Sequence, residues 1–357
     1  MPLIDIASWG GLHSRLVKRR LLALSTAVIV LAVGGGSGVH AQSFFEGKTL
    51  RVVVGFVPGG GFDTYARVIS RHMGKHIPGT PTIVVENMPG AGSLIAANHL
   101  YRVAKPDGLT IGHFNGGLFL GQVLGQPGVE FDARKFEMIG AAIKEDSVCA
   151  MTKASGITSV EKWMAAKTPV KVGGVAPGGS PDSNARVLKA ALGLPIQLVS
   201  GYKGTAEIRL AASSGELAGA CWSWESMRST WRGALDTGEV VAVLQTSARA
   251  FPDLPGVPLA LSLAKTEEAR QLIKVGIQNP SAFARPFALP PGTPKDRVIL
   301  LRKAFQETLK DQAFQAEAEK AKLTLEPATA EELEKLIAEV FTLDQTLIAK
   351  LKDILYK

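Results

Sequence analysis

The sequence predicts an α/β protein in which two similar lobes enclose a cleft. Three observations lead to this prediction: the length of the chain, an internal repeat, and segments that alternate between strand and helix patterns. The chain has 357 residues, whereas a single hydrophobic core stops growing at about 250–300 residues. The length therefore indicates two cores, and the repeat indicates that they are related.

The repeat relates two glycine-rich segments. Residues 53–68 align without gaps with residues 172–187, a shift of 119 positions. The copies share the pattern Val-x-Gly-x-x-Pro-Gly-Gly-x-x-Asp-x-x-Ala-Arg-Val, and Gly74 and Gly193 also coincide. Solenoid repeats have periods of about 20–50 residues. A shift this long therefore indicates a duplicated domain.

Each copy has the pattern strand, loop, helix, strand, helix, strand. Short β-branched apolar runs indicate buried strands, and Pro-Gly or Asn-Pro-type clusters end them. Strands that alternate with helices predict parallel sheets whose ligands bind at the carboxyl ends of the strands. The predicted strands are 50–55, 82–85, 109–114, 170–175, 196–200 and 217–222, and the predicted helices are 65–73, 93–104, 182–192 and 205–214.

The lobes are expected to be connected by two crossing segments. Residues 147–152 are expected to lead from the first lobe to the second, and residues 240–246 to lead back. The C-terminal region has amphipathic patterns that predict helices packed on the first lobe. These helices are expected at 294–310, 312–321 and 330–355. The resulting division is 42–148 and 247–357 for lobe one and 149–246 for lobe two.

The first 41 residues have the pattern of a signal peptide. A basic cluster at 15–20 precedes a charge-free apolar run at 21–33, and small residues at Val39 and Ala41 suit cleavage after Ala41. The apolar run has 13 residues, fewer than the roughly 20 of a membrane span. A retained anchor is the alternative, and the Arg19-Arg20 pair leaves the export route open. We expect export to the periplasm.

Charge and cysteine content narrow the class of protein. The formal net charge is +8, with basic and acidic residues mixed along the chain. Without a dense Lys/Arg run, nucleic-acid binding is not expected. Cys149 and Cys221 are the only cysteines. In an oxidising compartment they either form a disulfide or remain two buried thiols.

The glycine loops are the candidate binding elements. Each opens a helix, and the free N–H groups and the dipole of a helix N-terminus attract anions. A second pair of loops, at 90–93 and 202–205, also precedes helices. Four tight βα turns are the alternative. The predicted ligand-binding residues are Pro58, Gly59, Gly60, Gly61, Phe62, Asp63, Gly90, Ala91, Gly92, Ser93, Gly178, Gly179, Ser180, Tyr202, Lys203, Gly204, Thr205 and Glu225.

Several of these side chains have two interpretations. Asp63 and its counterpart Asp182 are expected to act mainly as helix N-caps. The hydroxyl of Ser180 either caps its helix or donates to a ligand oxygen. Lys203 supplies charge to the cleft or is a solvated turn lysine. Glu225 follows the third strand of lobe two and could reach the cleft.

Motifs for catalysis are missing from the sequence. It contains no GxSxG elbow, Walker loop or HExxH motif. His72 and His76 have metal-ligand spacing on a predicted helix, but without a third ligand nearby a solvated face is expected. We therefore expect no metal, no cofactor and no enzymatic activity.

Two of the loops resemble a known family. The run Gly-Phe-Val-Pro-Gly-Gly-Gly-Phe-Asp-Thr-Tyr-Ala-Arg at 55–67 resembles the opening of the tripartite tricarboxylate transporter receptors, also called the Bug family. Residues 87–93 resemble the second loop of that family, and shorter matches lie at 105–108, 202–204 and 254–258. One departure is Pro181-Asp182 after Ser180, where family members often carry a histidine.

This resemblance implies a fold and a function. The fold would be that of a type II periplasmic binding protein, with two Rossmann-like lobes and a ligand cleft. A small carboxylate would be held by loop backbone groups, hydroxyls and bridging waters, and then delivered by a monomeric receptor to the subunits of a membrane permease. A sensor that docks on a membrane signalling receptor and a secreted enzyme acting on a carboxylate are the alternatives. The sequence does not identify the ligand.

Overall fold

The computed structural model describes residues 44–357. The predicted signal peptide, residues 1–41, lies outside this range. None of the helices within residues 44–357 combines the length and the apolar character that a membrane crossing requires.

The described chain alternates strands and helices over most of its length. In chain order, the strands are β1 Thr49–Val54, β2 Thr82–Asn87, β3 Thr110–His113, β4 Glu137–Ala141, β5 Ser147–Thr152, β6 Val170–Gly173, β7 Ile196–Val199, β8 Gly219–Ser223, β9 Val240–Gln245, β10 Pro286–Leu289 and β11 Ala328–Thr329. The α-helices are α1 Gly61–Met73, α2 Leu94–Arg102, α3 Gly117–Val123, α4 Val160–Met164, α5 Ser180–Leu192, α6 Thr205–Ser213, α7 Trp224–Thr230, α8 Arg232–Asp236, α9 Ala260–Leu263, α10 Glu267–Ile273, α11 Asn279–Ser281, α12 Lys295–Lys310, α13 Gln312–Lys320, α14 Ala330–Val340 and α15 Gln345–Tyr356.

The strands form two sheets with the same plan. The first has the order β11-β4-β10-β3-β1-β2 and the second has the order β7-β6-β8-β5-β9. In each, a strand that leads into a glycine loop pairs in parallel with two neighbours: β1 with β2 and β3, and β6 with β7 and β8. A strand near the crossing, β10 or β5, then pairs antiparallel with its neighbours. The sheets are therefore mixed, where the alternation of elements predicted parallel ones.

The predicted duplication is confirmed by these elements. Helix α1 begins at Gly61 and α5 begins at Ser180, 119 positions later, and each has 13 residues. Tyr65, Ile69 and Met73 lie four residues apart on the buried face of α1, the spacing of an amphipathic helix. Both helices begin earlier than predicted, because the glycine before each first turn already acts as the N-cap.

The chain changes sheets twice. It leaves the first sheet between β4 and β5 and returns between β9 and β10. The segments predicted to cross between the lobes, 147–152 and 240–246, instead contain strands β5 and β9 of the second sheet, so the chain crosses before β5 and after β9. We call the parts built on the first and second sheets lobe one and lobe two.

The C-terminal region differs from the prediction in one respect. The predicted helix 330–355 is two helices, because Asp344 accepts hydrogen bonds from the N–H groups of Thr346 and Leu347 and caps a new helix, α15. Helix α15 packs against α5 of lobe two, where Leu351 and Val187 both contact the backbone at Gly276. The expectation that all C-terminal helices pack on lobe one was therefore wrong for the last one.

The two cysteines form a disulfide. Cys149 on β5 and Cys221 on β8 are directly opposed in the ladder and are bonded to each other. Both are buried. The question that the sequence left open is thus settled in favour of the bridge, which joins the two central antiparallel strands of lobe two.

Candidate ligand-binding cleft

The lobe-one glycine loop is braced by a buried carboxylate. Gly59 has a φ of 84°, a conformation that side-chain-bearing residues rarely adopt. Asp63 lies in the first turn of α1, and its Oδ2 accepts the N–H of Gly59 at 3.0 Å. Its Oδ1 accepts from Asn87 at 2.9 Å and from Arg67 at 3.0 Å. Gly60 is the N-cap, so the predicted N-cap role of Asp63 was wrong: its carboxylate shapes the loop instead.

The lobe-two loop repeats this geometry with different partners. Gly178 has a φ of 87°, and a Cβ there would lie 2.6 Å from Gln126 Oε1. Asp182 also lies in the first turn of its helix, after the N-cap Gly179. Its carboxylate accepts from the N–H of Val175 and from the hydroxyl of Ser200. The N-cap prediction was therefore wrong here too, and for the same reason.

Three helix N-termini from the two lobes meet at one small cavity. Gly61 at the start of α1, Ser180 at the start of α5 and Thr205 at the start of α6 line it. Its volume is about 30 Å³, room for about two water molecules. The cleft is therefore closed. Apolar side chains supply most of the remaining wall: Phe56, Val57, Phe62, Val175, Pro181 and Trp222.

A second cavity of about 30 Å³ lies on the other side of Ser180 and Glu145, which line both. Asn115, Gly178 and Tyr356 also line this second cavity. Ser180 thus stands at the boundary between two small volumes within the same closed cleft.

Hydrogen bonds between the lobes keep the cleft closed. Asn115 of lobe one donates its side-chain N–H to the carbonyl of Gly178 at 2.6 Å. Gln126 donates to the carbonyl of Pro177 at 3.1 Å. In the opposite direction, Arg209 of lobe two donates to the carbonyl of Gly59 at 3.3 Å. These bonds place the two glycine loops against the facing lobe.

The predicted binding residues divide into those that line a cavity and those that do not. The first cavity is lined by Gly60, Gly61, Phe62, Ser180, Gly204 and Thr205, and the second by Gly178 and Ser180. Pro58 and Gly59 are exposed at the rim. The remaining residues, which support or flank the loops without lining a cavity, are Asp63, Gly90, Ala91, Gly92, Ser93, Gly179, Tyr202, Lys203 and Glu225.

The second pair of loops has a supporting role in this geometry. Ser93 is fully buried and accepts the N–H of Asn115 at 2.8 Å. A Cβ on Gly92 would lie 3.3 Å from the N atom of Gly179 across the cleft. In lobe two, Lys203 is exposed, and the hydroxyl of Tyr202 donates to Glu216 at 2.6 Å.

The cleft also contains a buried arginine that the sequence prediction missed. Arg285 lies just before β10, and its side chain is 2% exposed. Its Nη2 donates to Ser223 Oγ at 2.9 Å, and its Nε lies 3.4 Å from Glu145 Oε2. Its guanidinium carbon lies 4.9 Å above the ring of Phe62 and 5.0 Å above that of Tyr65. Its Nη1 has no hydrogen-bond partner among the described residues.

A single sequence feature could have indicated this arginine. Arg285 is the one charged residue in the run Ser-Ala-Phe-Ala-Arg-Pro-Phe-Ala-Leu that leads into β10. An apolar run of this kind indicates a buried segment. A charged side chain is seldom buried without partners, so the position of Arg285 in this run indicates a buried arginine that needs an acceptor.

Two further titratable groups, His113 and Glu225, lie near the buried Arg285–Glu145 pair. His113 stacks on Phe287 at 4.0 Å between ring centroids, and burial lowers its pKa to about 3, so it is neutral at pH 7. Its Nδ1 lies 3.1 Å from the carbonyl of Pro286 and donates to it. Burial raises the pKa of Glu225 to about 7. Glu225 accepts from Ser223 Oγ at 3.1 Å, so it lies behind Ser223.

The two histidines with metal-ligand spacing have other partners. His72 Nε2 lies 2.7 Å from Glu317, and His76 Nε2 lies 3.3 Å from Asp311. Within residues 44–357, no three His, Cys, Asp or Glu side chains are grouped closely enough to hold a metal ion.

A family model agrees with this architecture. The model described as the tripartite tricarboxylate transporter family receptor matches residues 65–352, which is well over half of the chain. The chain belongs to this receptor family. The resemblance that the two glycine loops indicated is thus confirmed. No curated protein matches the sequence.

Solved structures agree with the fold of this receptor. The periplasmic binding protein BugD is 21% identical with a TM-score of 0.70, over 87% of this chain and 98% of BugD. MatC (Rpa3494) from Rhodopseudomonas palustris, solved with bound malate, is 21% identical with a TM-score of 0.67, over 87% and 100% of the two chains. Rpa4515 from R. palustris, solved with adipate, is 19% identical with a TM-score of 0.67, over 86% and 98%. The predicted class, two α/β lobes of the periplasmic binding protein type, is confirmed.

Proposed function

We propose that this receptor captures a small carboxylate in the periplasm by closing its lobes and delivers it to a membrane permease. One observation carries the proposal: the N-termini of α1, α5 and α6, from both lobes, line a single closed cavity. Each N-terminus presents free N–H groups and the positive end of a helix dipole. Three such ends around one small volume favour an anion.

Closure is the proposed capture step. The glycine loops of lobe one hold one side of the ligand, and lobe two closes with the residues at the starts of α5 and α6. The bonds from Asn115, Gln126 and Arg209 to the facing loops stabilise the closed form. A ligand that contacts both lobes binds this form better and so shifts the population toward it.

The remaining parts of the proposal rest on family membership. The family is one of transporter receptors, which supports delivery to permease subunits rather than catalysis. That the receptor acts as a monomer is part of the proposal. Malate and adipate, the ligands in two of the similar structures, are both carboxylates. Their presence supports the ligand class but does not identify the ligand of this chain.

A thermal-shift screen tests this proposal. The mature chain from residue 42 would be heated with a library of carboxylates, each paired with its neutral amide. A ligand at 100 times its dissociation constant should add about 2.7 kcal/mol to the free energy of unfolding. Carboxylates that raise the melting temperature, with amides that do not, are the expected result. No shift, together with no carboxylate released from the denatured protein, would contradict the proposal.

A further inference from the structure

We propose that Arg285 is the charged contact for the ligand carboxylate, and that the ligand is a monocarboxylate with an apolar body. This inference rests on the proposed function and deepens it. It concerns one side chain that the glycine-loop pattern does not include and one ligand class among the carboxylates.

The guanidinium of Arg285 is held in place on three sides. Phe62 and Tyr65 lie against its face, Ser223 accepts from Nη2, and Glu145 lies near Nε. Nη1 is buried and has no acceptor among the described residues. A buried donor without an acceptor destabilises a protein, and a carboxylate is the acceptor that matches a guanidinium best.

The first turn of α1 lies beside the guanidinium of Arg285. A Cβ on Gly61 would be only 3.0 Å from Arg285 Nη2, so the backbone of the turn runs along the guanidinium. Because Arg285 and Gly61 both line the cavity, the inferred position of a carboxylate has one oxygen on the guanidinium and the other on the N–H groups at the start of α1. The charge of the arginine and the dipole of the helix act on the same anion.

The other charges near the cavity favour one carboxylate over two. Arg285 and Glu145 are the charged residues among those that line the first cavity. Glu225 lies behind Ser223, and Asp146 is also near enough to raise the pKa of Glu225. A second ligand carboxylate would face these acids with no second cation among the residues that line this cavity. Burying an unpaired charge is strongly unfavourable.

The walls indicate what accompanies the carboxylate. Phe56, Phe62, Val175 and Trp222 line the cavity with apolar surface. Burial of apolar surface stabilises a complex by about 25 cal/mol per Å². The closed cavity of about 30 Å³ has room for about two water molecules, so the lobes must part to admit a ligand, and an aliphatic or aromatic body then matches these walls better than a second polar group does.

A purely structural role for Arg285 is the competing explanation. Arg285 precedes a strand of lobe one, whereas Ser223 ends a strand of lobe two, so their hydrogen bond joins the lobes. Loss of that bond would change the stability of the protein. It would not change the preference for a monocarboxylate over its dicarboxylate and amide, so that preference is the decisive measurement.

Isothermal titration of the mature chain tests the inference. The probes are butanoate, hexanoate and benzoate, each compared with its dicarboxylate (succinate, adipate or terephthalate) and with its amide. For at least one set, we expect the monocarboxylate to bind at least about tenfold more tightly than both relatives, since loss of a charged hydrogen bond weakens binding about 10- to 100-fold.

The variants remove the charge without leaving a buried partner unpaired. In the double variant Glu145→Gln/Arg285→Gln, we expect monocarboxylate affinity to fall about 10- to 100-fold and the preference over the amide to disappear. Arg285→Lys should retain part of the preference, because it keeps the charge but not the planar fork. Arg297→Gln is the matched control: Arg297 also stacks on a ring, that of Phe44 at 3.5 Å, but outside the cleft.

The outcomes separate the two proposals. If no carboxylate binds to the wild-type chain and none is released on denaturation, the proposed function and this inference both fail. If carboxylates bind equally well to the double variant, with a cooperative unfolding transition in both proteins, the role of Arg285 is refuted and the proposed function stands. If dicarboxylates bind as tightly as monocarboxylates, the ligand class is wrong.

Discussion

The two lobes carry the same loop and helix, yet the pKa values of their buried aspartates are shifted in opposite directions. Burial alone would raise the pKa of Asp63, but hydrogen bonds from Arg67, Gly59 and Asn87 lower it below its usual value. Burial dominates at Asp182 and raises its pKa, despite the bonds from Ser200 and Val175. The repeated sequence therefore gives the two loops a similar backbone, whereas burial and the hydrogen-bond partners of each carboxylate decide the direction in which its pKa is shifted.

The starts of the two helices also differ between the lobes. Gly61 in lobe one allows the backbone to approach Ser226 and Arg285, because a Cβ would lie 2.5 Å and 3.0 Å from their side-chain atoms. Its counterpart Ser180 in lobe two has a side chain that lines both cavities. Lobe one thus supplies a tightly packed surface, and lobe two supplies the side chain that closes over the ligand.

The largest expected effect on ligand binding is at Ser180. Ser180→Trp should fill the space between the two cavities and weaken carboxylate binding at least about 100-fold, equivalent to about 3 kcal/mol. Ser180 lies at the first position of α5 and is partly exposed, so we expect the unfolding transition to be kept. Ser180→Ala serves as the control. Normal affinity of the tryptophan variant in isothermal titration would remove Ser180 from the site.

The second effect is on stability, and it should be confined to lobe two. The Cys149–Cys221 bridge spans a sequence separation of 72 residues, and loss of a native disulfide costs about 2–5 kcal/mol. Cys149→Ala/Cys221→Ala should lower the free energy of unfolding by this amount in urea denaturation. The corresponding strands in lobe one are β3 and β10, where His113 stacks on Phe287 in place of a disulfide. Hydrogen exchange should therefore increase in β5 and β8 and remain slow in β3 and β10; a uniform increase would contradict this.

The third prediction exchanges the side chains of the two helix starts. Gly61→Ser gives the start of α1 the serine that lobe two has at the start of α5. It should lower the free energy of unfolding by about 1–3 kcal/mol through overpacking against Ser226 and Arg285. The reciprocal variant, Ser180→Gly, should change the free energy of unfolding by less than about 1 kcal/mol. Thermal unfolding of both variants measures the difference. Equal losses would show that the helix starts are packed alike.

The last two effects, at Asp63 and Asp182, are opposite in their dependence on pH. The lowered pKa of Asp63 stabilises the fold above the unfolded value of about 3.9, and this contribution is lost as pH falls through the folded pKa. The raised pKa of Asp182 favours the fold when the group is protonated, so its contribution falls as pH rises above about 4.

Urea unfolding between pH 3 and 8 measures these slopes. Asp63→Asn should cost about 1–3 kcal/mol at pH 7, and less at pH 3. Asp182→Asn should cost less at pH 7 than Asp63→Asn does, and its cost should increase toward low pH. The same slope for both variants would contradict the opposite pKa shifts of the two aspartates.

Much of the fold could be predicted because it depends on local patterns. Strands β1 and β6 are β-branched runs, and each is followed directly by its glycine loop. Because the two copies of the repeat show the same pattern, each copy supports the interpretation of the other. The starts of α1 and α5 were placed too late, because the aspartates were interpreted as N-caps rather than as first-turn residues. The break before α15 had a usable signal in Asp344, which was overlooked within a continuous amphipathic pattern.

The charged part of the cleft could not be predicted in this way. Arg285 and Glu145 are 140 residues apart, and they meet because the two crossings between the sheets lie side by side. Neither residue belongs to a motif or to the repeat. Their proximity depends on tertiary packing, which periodicity and loop chemistry do not reveal.

The most direct test of the account is a titration of the wild-type mature chain. A carboxylate selected by the thermal screen and its neutral amide would be titrated separately at the same ionic strength. The account predicts one carboxylate bound per chain and an amide affinity at least about tenfold weaker, since the helix N-termini favour the charged form. An amide that binds as tightly as the carboxylate would contradict the claim that the closed cleft captures an anion.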